Sequence, residues 1–209
     1  MSQVLDRTRN GVDTQQMYGT LDAIKADPSL GAFQFRASNR WIGGAHNRST
    51  IQGFYGAGQE DTSRTEAFAL DAGEPAVLLG ADTGPNPAEY LLHALAACLT
   101  TSLVYVAAAR KVRLTEVEST LEGDMDVRGA LGLSDEVRNG FTRIRVSFKV
   151  SGDAPPEKLR EVVERAAARS VVFDVVSNGV PVDVGVVTGC AGEGGRSPRA
   201  PAARPHRRN

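Results

Sequence analysis

The longest apolar stretch of the chain runs from residue 90 to residue 109 and contains no aspartate, glutamate, lysine or arginine. Just before it stand Asn86, Pro87 and Glu89, residue types typical of an N-cap, a first helical position and the third position of a capping box. The pattern therefore predicts a helix from Pro87 to Arg110. Because this helix would be apolar on every side, we expect it at the centre of a soluble core.

A membrane span is the alternative interpretation of this stretch, because about 20 uncharged residues suffice to cross a bilayer. The stretch contains six alanines, however, and four polar residues, which are His93, Thr100, Thr101 and Ser102. The flanking sequence also predicts amphipathic strands, which need a helix to cover them. We therefore favour the buried helix and expect no membrane partner.

Segments that alternate between apolar and polar residues flank the helix on both sides. They predict strands at 33–41, 49–55 and 64–70 before the helix, at 114–127 and 141–150 after it, and a closing strand at 181–187. A second, amphipathic helix is predicted to begin at Pro155-Pro156 and to end near Arg169, and residues 171–176 fit a short helix or a strand. This order of elements indicates an α+β fold.

The two ends of the chain differ in composition from the middle. Residues 1–31 are polar, with a weak helical pattern from Asp13 to Ala26 that Asp27-Pro28 would end, and we interpret them as an N-terminal extension. Residues 32–188 form the predicted domain. Residues 189–209 are rich in glycine, proline, alanine and arginine and are predicted to be a disordered basic tail.

Composition and charge narrow the classes of function. The net charge of −1 is the sum of +4 in residues 190–209 and −5 in the rest of the 209 residues. The basic tail could attract nucleic acid by charge, but it lacks aromatic residues, so no nucleic-acid partner is expected. Two cysteines cannot form a disulfide framework, and the N-terminus lacks the apolar core of a signal peptide. We therefore expect a cytoplasmic protein. No metal or other cofactor is expected, because no Cys/His cluster of metal-ligand spacing occurs.

Cys98 lies well inside the predicted central helix, on one stripe with Leu91, Leu95, Ser102 and Tyr105. A lone cysteine in an apolar helix is most often a packing residue, and the alternative is a reactive thiol. His93 precedes it by five residues, which places it on a different face of the helix. A Cys-His nucleophile pair is therefore not expected.

The segment Gly84-Pro85-Asn86-Pro87-Ala88-Glu89-Tyr90-Leu91, followed by Ala96-Ala97-Cys98-Leu99, resembles the OsmC/Ohr family of osmotically induced and organic-hydroperoxide-resistance proteins. The resemblance covers about residues 33–188. It implies antiparallel sheets around long central helices in an intertwined homodimer, with active sites at the subunit interface. It also implies that Cys98 attacks a peroxide, helped by an arginine that follows a Gly-Gly pair and by a glutamate near the start of the helix.

The chain departs from that family pattern at three positions. Ala45 follows Gly43-Gly44 where the arginine is expected, so that Arg48 becomes the candidate and Arg40 a weaker one. Glu89 stands beside the expected glutamate position, which is occupied by Ala88, and is also explained as a capping-box residue. Ser170 stands where the family has its second cysteine. A serine cannot resolve a sulfenic acid, and Cys190 in the tail is the other cysteine.

Two hypotheses of different classes follow. The first is a homodimeric thiol-dependent peroxidase that reduces organic hydroperoxides in oxidative-stress defence, with Cys98, Arg48 and Glu89 as its catalytic residues and an external thiol as reductant. The second is a non-catalytic member of the family that binds an apolar small molecule at the dimer interface. The loss of the expected residues at Ala45 and Ala88 favours the second hypothesis.

Overall fold

A computed structural model describes residues 8–189 of the chain. Those residues form an α+β fold with antiparallel sheets, as predicted. The helices are α1 (Thr14–Ala26), α2 (Pro87–Ala109), α3 (Val127–Ala130), α4 (Pro156–Ala167) and α5 (Val171–Asn178). The strands are β1 (Thr8–Arg9), β2 (Val12–Asp13), β3 (Ser38–Gly43), β4 (His46–Ile51), β5 (Phe54–Gly56), β6 (Gln59–Asp61), β7 (Phe68–Ala72), β8 (Leu114–Asp124) and β9 (Arg143–Gly152).

The helix α2 begins as the sequence predicts. The Glu89 amide donates to Asn86 Oδ1 (2.8 Å), and the Asn86 amide donates to Glu89 Oε2 (2.8 Å), which completes a capping box. Pro87 occupies the first turn, where its missing amide hydrogen leaves no carbonyl unpaired. The helix then continues for 23 residues to Ala109.

Burial of α2 is one-sided, whereas the sequence predicts a helix buried all round. The buried face consists of Leu95, Leu99, Leu103, Ala107 and Ala108. On the Cys98 stripe, Leu91 and Tyr105 are 39% and 51% exposed. By length and hydropathy α2 also passes for a membrane span, as the core helices of soluble proteins do. One face of α2 therefore packs within the chain, and another is left uncovered by it.

The core of the chain lies between α2, α4 and the long hairpin of β8 and β9. Leu103 of α2 and Val162 of α4 are fully buried at its centre. Inward-facing residues of the hairpin, including Val117 and its partner Val150, pack against them. Alternation along β8 and β9 is thus the pattern of a sheet with one face on the core and the other in water.

In the N-terminal half, the predicted strands exist but are shifted. The strand predicted at 33–41 is β3, Ser38–Gly43. Residues 33–35 lie against β5 instead, where Gln34 forms an isolated antiparallel bridge with Tyr55 and the Phe33 and Phe35 rings lie 6.4 and 5.5 Å from the Phe54 ring. Gly44, at φ +56°, makes the predicted turn into β4. Strands β3, β4 and β7 form one three-stranded sheet, and β5 and β6 form a separate hairpin.

Further differences concern strand and helix boundaries. The strand predicted at 49–55 is broken at Gln52-Gly53 into β4 and β5, the third strand is Phe68–Ala72 rather than 64–70, and β9 begins at Arg143 rather than residue 141. Residues 171–176 belong to the helix α5. Residues 181–187 form no strand, so the prediction of a closing strand is wrong for this single chain. These residues also lie beyond Gly179, where the compact unit that contains the core ends. Alternating valines make a strand only where a neighbouring strand supplies hydrogen bonds.

The N-terminal segment contains the predicted helix, α1, whose N-cap Asp13 accepts hydrogen bonds from the amides of Gln15 and Gln16. A short hairpin of β1 and β2 precedes it, turning through Asn10 at φ +53°. The side chain of Asn10 donates to the Val112 carbonyl (2.9 Å) and accepts from the Leu114 amide (2.9 Å). The predicted basic tail and Cys190 lie outside the described residues.

Candidate functional site

Cys98 lies three turns into α2, half-buried, at the point where α5 begins. The groups that lower the pKa of its thiol by hydrogen bonding are the hydroxyl of Ser170, the backbone amides of Val172 and Val171, and the hydroxyl of Ser102. Ser102 belongs to the next turn of α2, four residues on, and so faces the same side as the thiol. The other three donors come from the N-terminal end of α5.

Ser170 connects the cysteine to the start of α5. Its hydroxyl accepts a hydrogen bond from the Phe173 amide (3.2 Å), which makes it the N-cap of α5, and it also contacts Cys98. A hydroxyl has one donor and two acceptor positions, so it can serve both partners together. Its side chain is only 2% exposed, the one polar residue among the buried core residues described. The cap bond from the Phe173 amide gives this buried hydroxyl the hydrogen-bond partner that a buried polar group requires.

These contacts decide the proton affinity of the thiol. Burial raises the pKa of Cys98, and it is the largest single influence, but the hydrogen bonds from Ser170, Val172, Val171 and Ser102 outweigh it. The pKa therefore lies below the ordinary value of a cysteine. The physical cause is that amide and hydroxyl donors at a helix N-terminus stabilise a negative charge more than a neutral thiol.

Arg48 is held by a different partner. It faces Asp71 across β4 and β7, and its guanidinium donates to both carboxylate oxygens at 2.8 and 3.0 Å. His46 Nε2 lies 2.7 Å from Oδ1 of the same aspartate. The hydrogen bond from Arg48, and after it the one from His46, lower the pKa of Asp71. Arg48 is therefore engaged in the N-terminal sheet, and the groups that bond to the Cys98 sulfur are all neutral.

The sheet that carries Arg48 is joined to the beginning of α2. The Tyr90 hydroxyl, in the first turn of that helix, donates to the Asp71 carbonyl (2.6 Å). Gly84 packs so closely against the same carbonyl that a Cβ there would overlap it. Asp71 thus links the sheet to the helix near its start, about two turns before Cys98.

The model of the OsmC-like protein family matches residues 80–185, just over half of the chain. The chain belongs to the OsmC-like family. The matched residues include Cys98, Ser170 and the three elements that surround them, α2, α4 and α5. The resemblance inferred from the cysteine helix is therefore confirmed. A comparison with curated proteins finds no match.

The chain is similar to several solved structures. The OsmC-like protein from Mycoplasma pneumoniae is 12% identical with a TM-score of 0.55, over 69% of this chain and 88% of that one. A protein of Psychrobacter arcticus, described as an osmotic stress induced and detoxification response protein, is 12% identical with a TM-score of 0.51, over 68% and 88%. The organic hydroperoxide resistance protein OhrB of Bacillus subtilis is 22% identical with a TM-score of 0.43, over 69% and 92%.

The predicted site residues of this OsmC-like protein are not all brought together. Glu89 precedes Cys98 by nine residues, which is two and a half helical turns, so the two side chains leave α2 on opposite sides. Glu89 completes the capping box. Arg40 lies beside Arg48 on the neighbouring strand β3, and His93 is exposed. Catalytic roles for Arg48 and Glu89 stay predictions.

The groups that sequence reasoning missed are the donors at the start of α5. Ser170 is recognised from the sequence only as a replaced cysteine, and its hydroxyl function depends on the fold. A local signal for the helix does exist, because a serine N-cap followed by Asp174 in the first turn is typical of a helix start. The position of this helix end beside Cys98 depends on the packing of α5 against α2. No local sequence pattern predicts that packing.

Proposed function

We propose that this OsmC-like protein is a thiol-dependent peroxidase that reduces organic hydroperoxides through Cys98. The observation that carries the proposal is the placement of Cys98 beside the N-terminus of α5, where neutral hydrogen-bonding groups lower the pKa of its thiol and so favour the thiolate. The thiolate is the nucleophilic form of cysteine, whereas a packing cysteine buried without such donors would be held as the thiol. The name of the Psychrobacter arcticus relative, a detoxification response protein, agrees with this chemistry.

The reaction has a balanced first step. The Cys98 thiolate attacks the terminal oxygen of the hydroperoxide, so that an S–O bond forms and the O–O bond breaks. The electron pair of the O–O bond leaves with the alkoxide, which takes a proton and becomes an alcohol. Sulfur is oxidised to a sulfenic acid. The donors from α5 then face the oxygen-bearing sulfur.

Regeneration requires an external thiol. Ser170, which contacts the Cys98 sulfur, cannot form a disulfide with it. A first external thiol therefore condenses with the sulfenic acid to give a mixed disulfide and water. A second thiol releases Cys98 and leaves as the disulfide of the reductant. We propose a cytoplasmic location, where such thiols are kept reduced.

The same proposal includes a homodimer. Leu91, on the Cys98 stripe of α2, is exposed in the single chain, as are Phe35 and Trp41 of the N-terminal half at 72% each. Apolar surface on this scale is typical of a protein interface. Light scattering should give twice the chain mass of 22.2 kDa. A stable monomer at micromolar concentration would rule out the dimer.

The test of the activity uses the full chain and its two single-cysteine variants. One equivalent of cumene hydroperoxide should add one oxygen atom to the wild-type mass, in a form that dimedone traps, and dithiothreitol should support steady peroxide consumption. Cys98→Ser should abolish both results, and the matched control Cys190→Ser should retain them. If the wild type is not oxidised and consumes no peroxide, the peroxidase is excluded and the non-catalytic binding hypothesis takes its place.

A further inference from the structure

A pocket of about 660 Å³ lies between the N-terminal segment and α2. Its walls are mainly apolar, with Met17 and Leu21 contributed by α1 and Tyr105 and Ala109 contributed by α2. Pockets that bind small molecules commonly have volumes of about 300–1,000 Å³ and apolar walls with few polar groups. The pocket is an open groove, and its volume and mainly apolar lining fall within the range of small-molecule sites.

Hydrogen bonds hold the two walls of the pocket together. The Asn10 side chain bonds to backbone groups of both Val112 and Leu114, which follow α2. The Tyr18 hydroxyl donates to the Ala109 carbonyl near the end of α2 (3.1 Å). These three bonds fix the hairpin and α1 against the body at two separate points. The pocket is thus a built feature of this chain, and one wall of it lies outside the part matched by the family model.

One positive charge is available to a ligand there. Arg169, in the link between α4 and α5, lines the pocket, and no carboxylate among residues 8–189 pairs with its guanidinium. Asp13 lines the pocket too and keeps its negative charge, with Oδ1 turned to the Gln15 and Gln16 amides of α1, so the acidic group of a ligand is expected at the Arg169 end. A guanidinium with no carboxylate partner in the described part of the chain, beside an apolar groove, is suited to an acidic group, since arginine binds carboxylates through two parallel hydrogen bonds.

We propose that the pocket between α1 and α2 binds an anionic amphiphile, a small molecule with an apolar body and one acidic head group. The apolar body packs between Met17, Leu21 and Tyr105. The acidic group binds to Arg169. Binding of this kind needs no reactive thiol, so it stands apart from the peroxidase proposal, although Ser102 both lines the pocket and bonds to Cys98.

Calorimetry on the full-length protein tests this with decanoate as the probe and decan-1-ol as its uncharged counterpart. Decanoate should bind at least about tenfold more tightly than decan-1-ol, and Arg169→Ala should remove that difference by raising the Kd for decanoate alone. Tenfold corresponds to about 1.4 kcal/mol. Arg160→Ala, which changes an exposed arginine of α4 outside the pocket lining, is the matched control and should leave both affinities unchanged.

Two further variants keep the result unambiguous. Thr20→Trp, on the exposed α1, should fill the cavity and abolish binding of both probes, and circular dichroism shows whether α1 and the core are retained. Cys98→Ser should bind decanoate as the wild type does, so that a failed peroxidase assay leaves this test valid. Equal affinities for the two probes, or equal effects of Arg169→Ala and Arg160→Ala, would overturn the proposal. If Thr20→Trp instead changes the oligomeric state and leaves binding intact, the pocket is an interface between copies and the proposal fails.

Discussion

Replacing Ser170 by alanine removes the hydroxyl that contributes most to lowering the pKa of Cys98. The substitution leaves the Val171 and Val172 amides and Ser102 in place. It also removes the N-cap hydrogen bond to the Phe173 amide, so it should lower the free energy of unfolding by about 1 kcal/mol. Both effects follow from one side chain and are measured separately.

The expected rise in the pKa of Cys98 follows from the loss of one hydrogen bond to the thiolate. A hydrogen bond to a charged group contributes about 1.5–3 kcal/mol, and each 1.36 kcal/mol corresponds to about a tenfold change in the thiolate population below the pKa. Three donors remain and can tighten, which argues for the lower end. At neutral pH the alkylation rate of Cys98 should therefore fall by about tenfold, and its pKa should rise.

Alkylation by iodoacetamide, followed by intact mass from pH 5 to pH 10, measures both quantities. Cys190→Ser serves as the background, so that a single cysteine reacts. In that protein the rate should rise with a midpoint below the ordinary thiol value of about 8.5. The graded control is Ser102→Ala, which removes the donor with the smallest influence on the Cys98 pKa and should shift the midpoint less than Ser170→Ala does.

Two results would refute the reasoning. If the background protein titrates at or above the free-thiol midpoint, burial outweighs the donors and Cys98 is a packing residue. If Ser170→Ala titrates as the background protein does while remaining folded, the hydroxyl does not stabilise the thiolate.

Three further predictions test the site and the core. Ser170→Cys places a second thiol against the Cys98 sulfur, so oxidation by cumene hydroperoxide should remove two hydrogens instead of adding an oxygen; retention of the added oxygen would show that the two sulfurs cannot meet. Arg48→Ala should shift the Cys98 midpoint less than Ser170→Ala does, since Arg48 is bound to Asp71; a larger shift would make Arg48 the activating cation. Leu103→Ala should lower the free energy of unfolding in urea by about 2–5 kcal/mol because Leu103 is fully buried, and a change below 1 kcal/mol would contradict its place at the centre of the core.

Elements with strong local signals were predictable from the sequence. The start of α2 is encoded by Asn86, Pro87 and Glu89 within four residues, and its capping box forms as predicted. The helix α4 carries its apolar stripe at helical spacing, and Val162 and Ala166 of that stripe are buried. In both cases the sequence pattern and the packing agree, so tertiary contacts had nothing to override.

Features that depend on distant contacts were not predictable. Phe33 and Phe35 alternate like residues of β3, but Gln34 between them pairs with Tyr55 of β5, so this segment belongs to a different partner strand. In the candidate site, the role of Cys98 was predicted from the family resemblance. The groups that lower its pKa could not be predicted, because they depend on where α5 packs. The resemblance does identify position 170 as the partner of Cys98, and the contact of Ser170 with that sulfur agrees with it.

Because one hydroxyl both begins α5 and donates to Cys98, protonation of the thiol and the closing of that helix are thermodynamically linked. Ser170, Val171 and Val172 lower the pKa of Cys98 only while α5 is formed, so deprotonation favours the formed helix. That contribution is fully present above the pKa of the thiol in the opened state and is lost as the pH falls through the lower pKa of the closed state. The stability of the first turn of α5 should therefore depend on pH. Amide hydrogen exchange in that turn would measure the change.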